Sequence, residues 1–357
     1  MGLSIGYASR RISKTGGIVS LWEDGESLPT WSQVKKLAKL YKVHELVFFS
    51  KDNIKEDRSI PDFRVGIADD EKDRVKKLIN LVLRRQTKLE RIFRDEEYPK
   101  NKLIGSGRDI KSPVELSQYI TRSLGINIEE IKNISGSSAR RQTLNYLIEK
   151  AEDKGIFVGK TISYHNIPVS NMRGLSISND YCPFIVLNRK DALSAQIFSL
   201  IHELSHLFRK TESISNSIDF RDSNKDINPE EVFCNKVAAN LLLPISEFTK
   251  DNYSEKDIVA LSDKYKLSEL FIFYRLKYLG RLNCENIDSL EKELNDRAKQ
   301  NIKDNETRGR GKGGNYYNSM KDSNGRLFNR VILGAYLEKR IGYVEASNLL
   351  NFSVERV

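Results

Sequence analysis

The sequence predicts an α+β fold, mostly helical, with a small β-sheet packed on one long helix. Three observations carry that expectation. Apolar residues recur at helical spacing over most of the chain. Three short β-branched and aromatic segments cluster between Ile156 and Leu187. A longer stretch with an apolar stripe, Ser194–Lys210, follows directly.

At 357 residues the chain has room for two or three domains. Hydrophobic residues make up 39% and charged residues 30%, which excludes a disordered chain. No apolar run approaches the ~20 residues of a membrane helix, so no membrane contact is expected. The N-terminus lacks a signal-peptide apolar region, and Gly6 stands where a myristoylation signal needs Ser or Thr. Cys182, Cys234 and Cys284 are too few and too scattered for a disulfide framework or a cysteine-only zinc site. They fit a reducing, cytoplasmic compartment. Lys and Arg total 59 against 49 Asp and Glu, a net charge of +10. That excess favours nucleic acid or an acidic partner without identifying either.

Within residues 1–60, short helices alternate with tight turns. Gly25 and Pro29 break the chain, and Thr30 caps a helix carrying Val34, Leu37, Ala38 and Tyr41. Residues 61–140 read as a helical connector. Asp70–Glu97 is a charged helix with Val75, Leu78, Ile79, Val82 and Leu89 on one stripe, and Ser112-Pro113 starts another. Residues 141–285 form the third region. Gln142–Ala151 is helical, and strands follow at Ile156–Ile162, Arg173–Ser178 and Pro183–Leu187. Next come the helix Ser194–Lys210, a polar loop over 211–228, a helix opened by Pro229, and two short helices over 254–280. Residues 286–357 hold a basic, glycine-rich connector over 303–326 and a helical pair, Leu327–Leu337 and Tyr343–Leu350.

One motif carries chemistry: His202-Glu203-Leu204-Ser205-His206, an H-E-x-x-H. Four residues turn a helix by about 400°, so the imidazoles stand about 40° apart, one turn above the other, within reach of one Zn²⁺. Glu203 projects beside that face, placed to take a proton from the attacking water without being a ligand. The chain has only four histidines, so a chance match is rare. Ile197, Leu200, Ile201, Leu204 and Phe208 place the helix on the core with the histidines near one margin. A catalytic zinc needs a third protein ligand. The helix after Pro229 offers Glu230 and Glu231, about 100° apart, so only one can face the metal. Glu231 is favoured. Cys234 is the alternative soft ligand, but it points elsewhere if Glu231 faces the ion. Small Ala238 and Ala239 allow the two helices to approach. His44 and His165 read as ordinary surface or half-buried histidines.

The run Pro183–Asn188, then Ile197–Ile201 leading into His202–His206, then Glu231-Val232-Phe233-Cys234-Asn235-Lys236-Val237-Ala238-Ala239-Asn240 through Pro244, resembles the ImmA/IrrE metallopeptidases. Arg173–Ser178 resembles the strand that precedes them. The resemblance implies a zincin-like core, with His202, His206 and Glu231 as zinc ligands and Glu203 as catalytic base. Ser205 departs from the family's usual glycine. Trp22–Thr30 with Leu37–Tyr41 is similar to the second half of an XRE-type helix-turn-helix, which implies a partial DNA-binding domain. Pro61–Arg64 and Gly313–Asn318 resemble the junction and tail of such fusions. In that frame Thr15 caps the recognition helix and Gly16 and Gly17 fall in its first turn, where base-reading side chains should stand. A degenerate domain that recognises protein is the counter-reading.

The resemblance implies a zinc-dependent endopeptidase whose protein substrate is a repressor-like transcriptional regulator of a mobile element, phage or stress response. The alternatives are a DNA-associated regulator with a structural or sensory zinc site, and a toxin or phage-defence component. DNA contact would run through the N-terminal domain or the tail, where Arg308, Arg310, Lys312, Arg326 and Arg330 could meet phosphates and Tyr316-Tyr317 could stack on bases.

Overall fold

The computed structural model describes residues 3–13, 17–41, 45–49, 69–161, 167–211, 213–215, 228–284, 286–308, 320, 322–352 and 354. His44, His165, Thr15, Gly16, Arg310, Lys312, Tyr316 and Tyr317 lie outside the described residues, as do Pro61–Arg64 and Gly313–Asn318.

Two compact units divide the described chain, one ending at Leu81 and the other beginning at Val82. The first contains α1 (Ile5–Ile12), α2 (Ile18–Glu23), α3 (Trp31–Tyr41) and a 3₁₀ turn, Glu45–Phe49. Ser4 caps α1 by accepting from the Tyr7 amide. Thr30 and Gln33 exchange side-chain and backbone hydrogen bonds at the start of α3, a capping box. Helix α1 packs on α2 and α3 around Ala8, Ile12, Val19 and Leu37. One expectation fails here. Gly17 does not sit in the first turn of α2 but is its N-cap, at φ +88°, a left-handed backbone that glycine adopts freely. The first turn is therefore Ile18, Val19 and Ser20.

Helix α4 (Asp69–Asp95) runs from the first unit into the second. The second unit continues with α5 (Pro113–Leu124), α6 (Ile128–Asn133) and α7 (Ala139–Glu152). Ser112 caps α5 with Pro113 in its first turn, as its sequence predicts. Strands β1 (Phe157–Lys160), β2 (Gly174–Ile177) and β3 (Phe184–Leu187) follow. Helix α8 (Leu193–Arg209) comes next, then β4 (Ser213–Ser215), α9 (Pro229–Leu242), α10 (Glu255–Tyr265) and α11 (Glu269–Tyr278). Helices α12 (Ile287–Arg308), α13 (Arg326–Leu337) and α14 (Tyr343–Leu350) end the unit.

The sheet order is β1-β3-β2-β4. β1 and β3 are parallel, and the other two pairs are antiparallel. Phe157 lies opposite Phe184 with the rings stacked, and Phe328 of α13 meets both edge-on. The fold is thus α+β, with a small sheet packed on the H-E-x-x-H helix. Helix α8 packs on β2 and β3 and is enclosed by α5, α7 and α9. Every residue from Gln196 to Phe208 is buried. The histidines therefore stand inside the unit, not at a margin, because neighbours cover the helix on every side.

Three elements differ from the sequence expectation. The connector expected over 303–326 begins inside α12, whose last residues are 303–308. That helix is mostly charged and polar, with Leu290 and Leu294 as its buried apolar residues, so its periodic signal is weak. Strand β4 lies in the segment expected to be loop; its pairing with β2 forms it, not its serine-rich composition. Arg326 does not stand free for phosphate: its guanidinium pairs with Glu149 at 2.9 Å and Asp153 at 3.1 Å. Among the described residues, no helix is long and apolar enough to cross a membrane.

Candidate metal centre

Helix α8 presents His202 and His206 on one face, and their Nε2 atoms lie 3.1 Å apart. Helix α9 supplies the third group. Asn228 caps it, accepting from the Glu230 amide at 2.8 Å, with Pro229 in the first turn. This start fixes the direction of the two acids that follow. Glu231 reaches both imidazoles: Oε2 lies 3.1 Å from His202 Nε2, and Oε1 lies 3.1 Å from His206 Nε2. All three side chains are buried.

Glu230 turns the other way. It forms a two-point ion pair with Arg209, Nε to Oε1 and Nη2 to Oε2. Arg209 also donates to the Ile110 carbonyl and lies over the Phe233 ring. Adjacent acids on one helix are thus separated in role by their 100° offset and by a fixed arginine. Cys234 is buried, and its thiol is pushed well above its usual range, first by burial and then by Glu230 and Glu231. His206, Glu230 and Cys234 also bring ligand atoms within 4.8 Å of one another. That trio makes the poorer cradle, because Glu230 is committed to Arg209 and the thiol resists ionisation.

Glu203 is fully buried on α8, against Gly174 of β2. Ser205 donates to the Ile201 carbonyl at 2.8 Å, a bond within the helix that the usual glycine cannot make. The outer nitrogen of His206, Nδ1, lies 2.8 Å from Thr211 Oγ1. Gly174, Arg209 and Thr211 were not singled out in the sequence. A glycine inside a strand pattern, marking a close approach, was the one available signal.

The electrostatics favour a positive centre. Burial lowers the pKa of His202, but Glu231, with Glu203 behind it, outweighs burial and holds the imidazole above its ordinary value. Burial would raise Glu231, yet the two histidines hold its carboxyl well below the usual carboxylate range. The donor set fits a divalent ion. Two imidazoles and one carboxylate, all buried, converge on one point. Three electron-pair donors meet at 3.1 Å, a repulsive arrangement unless a proton or cation lies among them. Ligands at about 2.0–2.1 Å on tetrahedral corners sit roughly 3.4 Å apart, close to the spacing seen.

A cavity of about 500 Å³ lies at the N-terminal end of α8, and none of His202, Glu203, His206 and Glu231 lines it. Phe198 lines it and stacks on His202 with ring centroids 6.3 Å apart. Phe271, Leu270 and Arg173, the neighbour of Gly174, line it as well, and α12 closes one side with Leu294 and Ala298.

A buried H-E-x-x-H helix on a small sheet, completed by a glutamate from the next helix, is the arrangement of a metallopeptidase domain. Residues 158–277 match the family model of the IrrE N-terminal-like domain, Peptidase_M78. The match covers about a third of the chain, includes all four site residues, and supports an ImmA/IrrE-type peptidase. No curated protein matches the chain.

Proposed function

We propose that this chain is a zinc-dependent endopeptidase that cleaves a specific protein regulator of the repressor type. The observation that supports it most is the meeting of His202, His206 and Glu231 at 3.1 Å, with Glu203 one residue along the same helix. His202, His206 and Glu231 would hold the ion. When bound, zinc supplies Lewis acidity toward the scissile carbonyl and the attacking water.

The protein's own groups do the rest. Glu203, held between α8 and β2, takes the water proton on a carboxylate oxygen and delivers it to the leaving amine. Its burial, away from bulk water, keeps that proton within the site. The cavity beside Phe198 and Arg173 receives a side chain of the bound peptide and orients the chain across the centre. The first unit, whose α2 opens with Ile18 and Val19, serves to recognise a protein partner rather than to read bases. Three free cysteines fit a cytoplasmic enzyme.

The test is incubation of the zinc-loaded protein with repressor-like regulators encoded beside it, comparing wild type with Glu203→Gln. Cleavage by wild type alone supports the mechanism. Equal cleavage by both removes Glu203 as the base.

A further inference from the structure

His206 must offer Nε2 as an unprotonated donor if it is to hold a metal, so its proton must sit on Nδ1. The end of α8 places a hydroxyl beside that atom. Lys210 takes a left-handed backbone, φ +58°, and stops the helix. The Thr211 amide then bonds back to the His206 carbonyl at 2.9 Å. This closure sets the Thr211 side chain beside the imidazole one turn back, with Oγ1 2.8 Å from Nδ1. The same Oγ1 lies 3.3 Å from the His206 carbonyl oxygen as a hydrogen-bond donor.

A hydroxyl has one proton to give. The carbonyl oxygen can only accept, and with the Oγ1 proton turned toward it an Oγ1 lone pair faces the ring and accepts from Nδ1–H. Nε2 then carries the lone pair, aimed at Glu231 and His202. We infer that Thr211 is a positioning residue that fixes His206 in its metal-binding tautomer. This rests on the reading of His206 as a ligand.

A purely structural role predicts something different. The turn is closed by the Thr211 backbone amide, which survives loss of the hydroxyl. Thr211→Val keeps the shape and removes the acceptor, and Thr211→Ser keeps it. Zinc affinity is measured on full-length protein by competition with a chromophoric chelator, with cobalt(II) spectra alongside. Thr211→Val is expected to weaken zinc binding about 10–100-fold, as loss of a group that orients a ligand does. Thr211→Ser should stay near wild type, and both should unfold at the wild-type temperature when metal-free. Undiminished affinity in Thr211→Val overturns the inference alone, whereas a wild type that binds no zinc overturns the metal reading itself. Imidazole ¹⁵N shifts of metal-free wild type decide the matter if the variants do not fold. A His206 proton on Nδ1 supports the inference, and one on Nε2 overturns it.

Discussion

Gly174 on β2 and Glu203 on α8 are matched surfaces. A Cβ at position 174 would come 2.5 Å from Glu203 Oε1 and 2.8 Å from its Cγ. The strand can approach the helix only because this position has no side chain, and the approach holds the carboxylate in place. The pairing ties the position of the proposed base to the sheet, since β2 sits between β3 and β4 and cannot shift alone.

Gly174→Ala should therefore displace Glu203 rather than the strand. A displacement of about 1 Å at a catalytic group costs on the order of 100-fold in rate. Steady-state proteolysis should fall by that order while zinc affinity, measured by chelator competition, stays near wild type. Loss of both together would show that the strand itself had moved.

Two adjacent acids should part company on mutation. Glu231→Gln should lose most bound zinc, read as metal per chain after dialysis. Glu230→Gln should keep its zinc but leave the half-buried Arg209 without its carboxylate, costing about 1–3 kcal/mol in denaturant unfolding. Zinc loss in the Glu230 variant instead would assign the third ligand to the wrong helix face.

Much of this site was legible because its spacing is dictated by helix geometry. His202 and His206 had to share a face, and the 100° between Glu230 and Glu231 forced a choice between them. What separates those two acids was not legible. Arg209 and Ile110 are distant in sequence from Glu230, and their meeting depends on how α9 packs. Thr211 stayed hidden for a related reason: its role comes from a left-handed Lys210, a conformation that lysine does not advertise. In the fold, the short strands showed through their β-branched content. β4 did not, because Ser213-Ile214-Ser215 is a strand only by pairing with β2. Gly17 was misplaced because a glycine reads alike as helix interior and as cap until its φ is known.

Removing the metal should destabilise the second unit. A chelator leaves three electron-pair donors facing one another inside a buried site. An ion at 100 times its dissociation constant contributes about 2.7 kcal/mol by mass action. Thermal unfolding should therefore occur at lower temperature in chelator and recover on adding zinc. An unchanged unfolding temperature would mean that no ion resides there.

Helix α10 should fray in acid before the site does. Asp257 closes a capping box with Ser254 and pairs with Lys250, and the Lys250 hydrogen bond, with those of Ser254, lowers its carboxyl to about 2. A depressed acid stabilises the fold above its unfolded value of about 3.9 and loses that contribution as pH falls toward 2. Amide protection factors at Glu255–Ile258, corrected for the intrinsic pH dependence of exchange, should fall across that window in wild type. Asp257→Asn should show low protection there at pH 5 already and respond little to further acid.

Under the proposed function, substitutions on the α12 wall of the cavity beside Phe198 should alter peptide binding and spare the metal. Ala298 on that helix lines it and is half-buried, so a larger side chain there can enter the space, which none of His202, His206 and Glu231 lines. Ala298→Trp should leave zinc affinity and unfolding temperature near wild type. It should lower kcat/KM for the protein substrate about tenfold or more, the scale on which a filled pocket rejects a side chain. The loss should fall mainly on KM, since the groups that move the proton are untouched. If Ala298→Trp cleaves at the wild-type rate, the peptide passes elsewhere, and the edge strand β4 becomes the place to look.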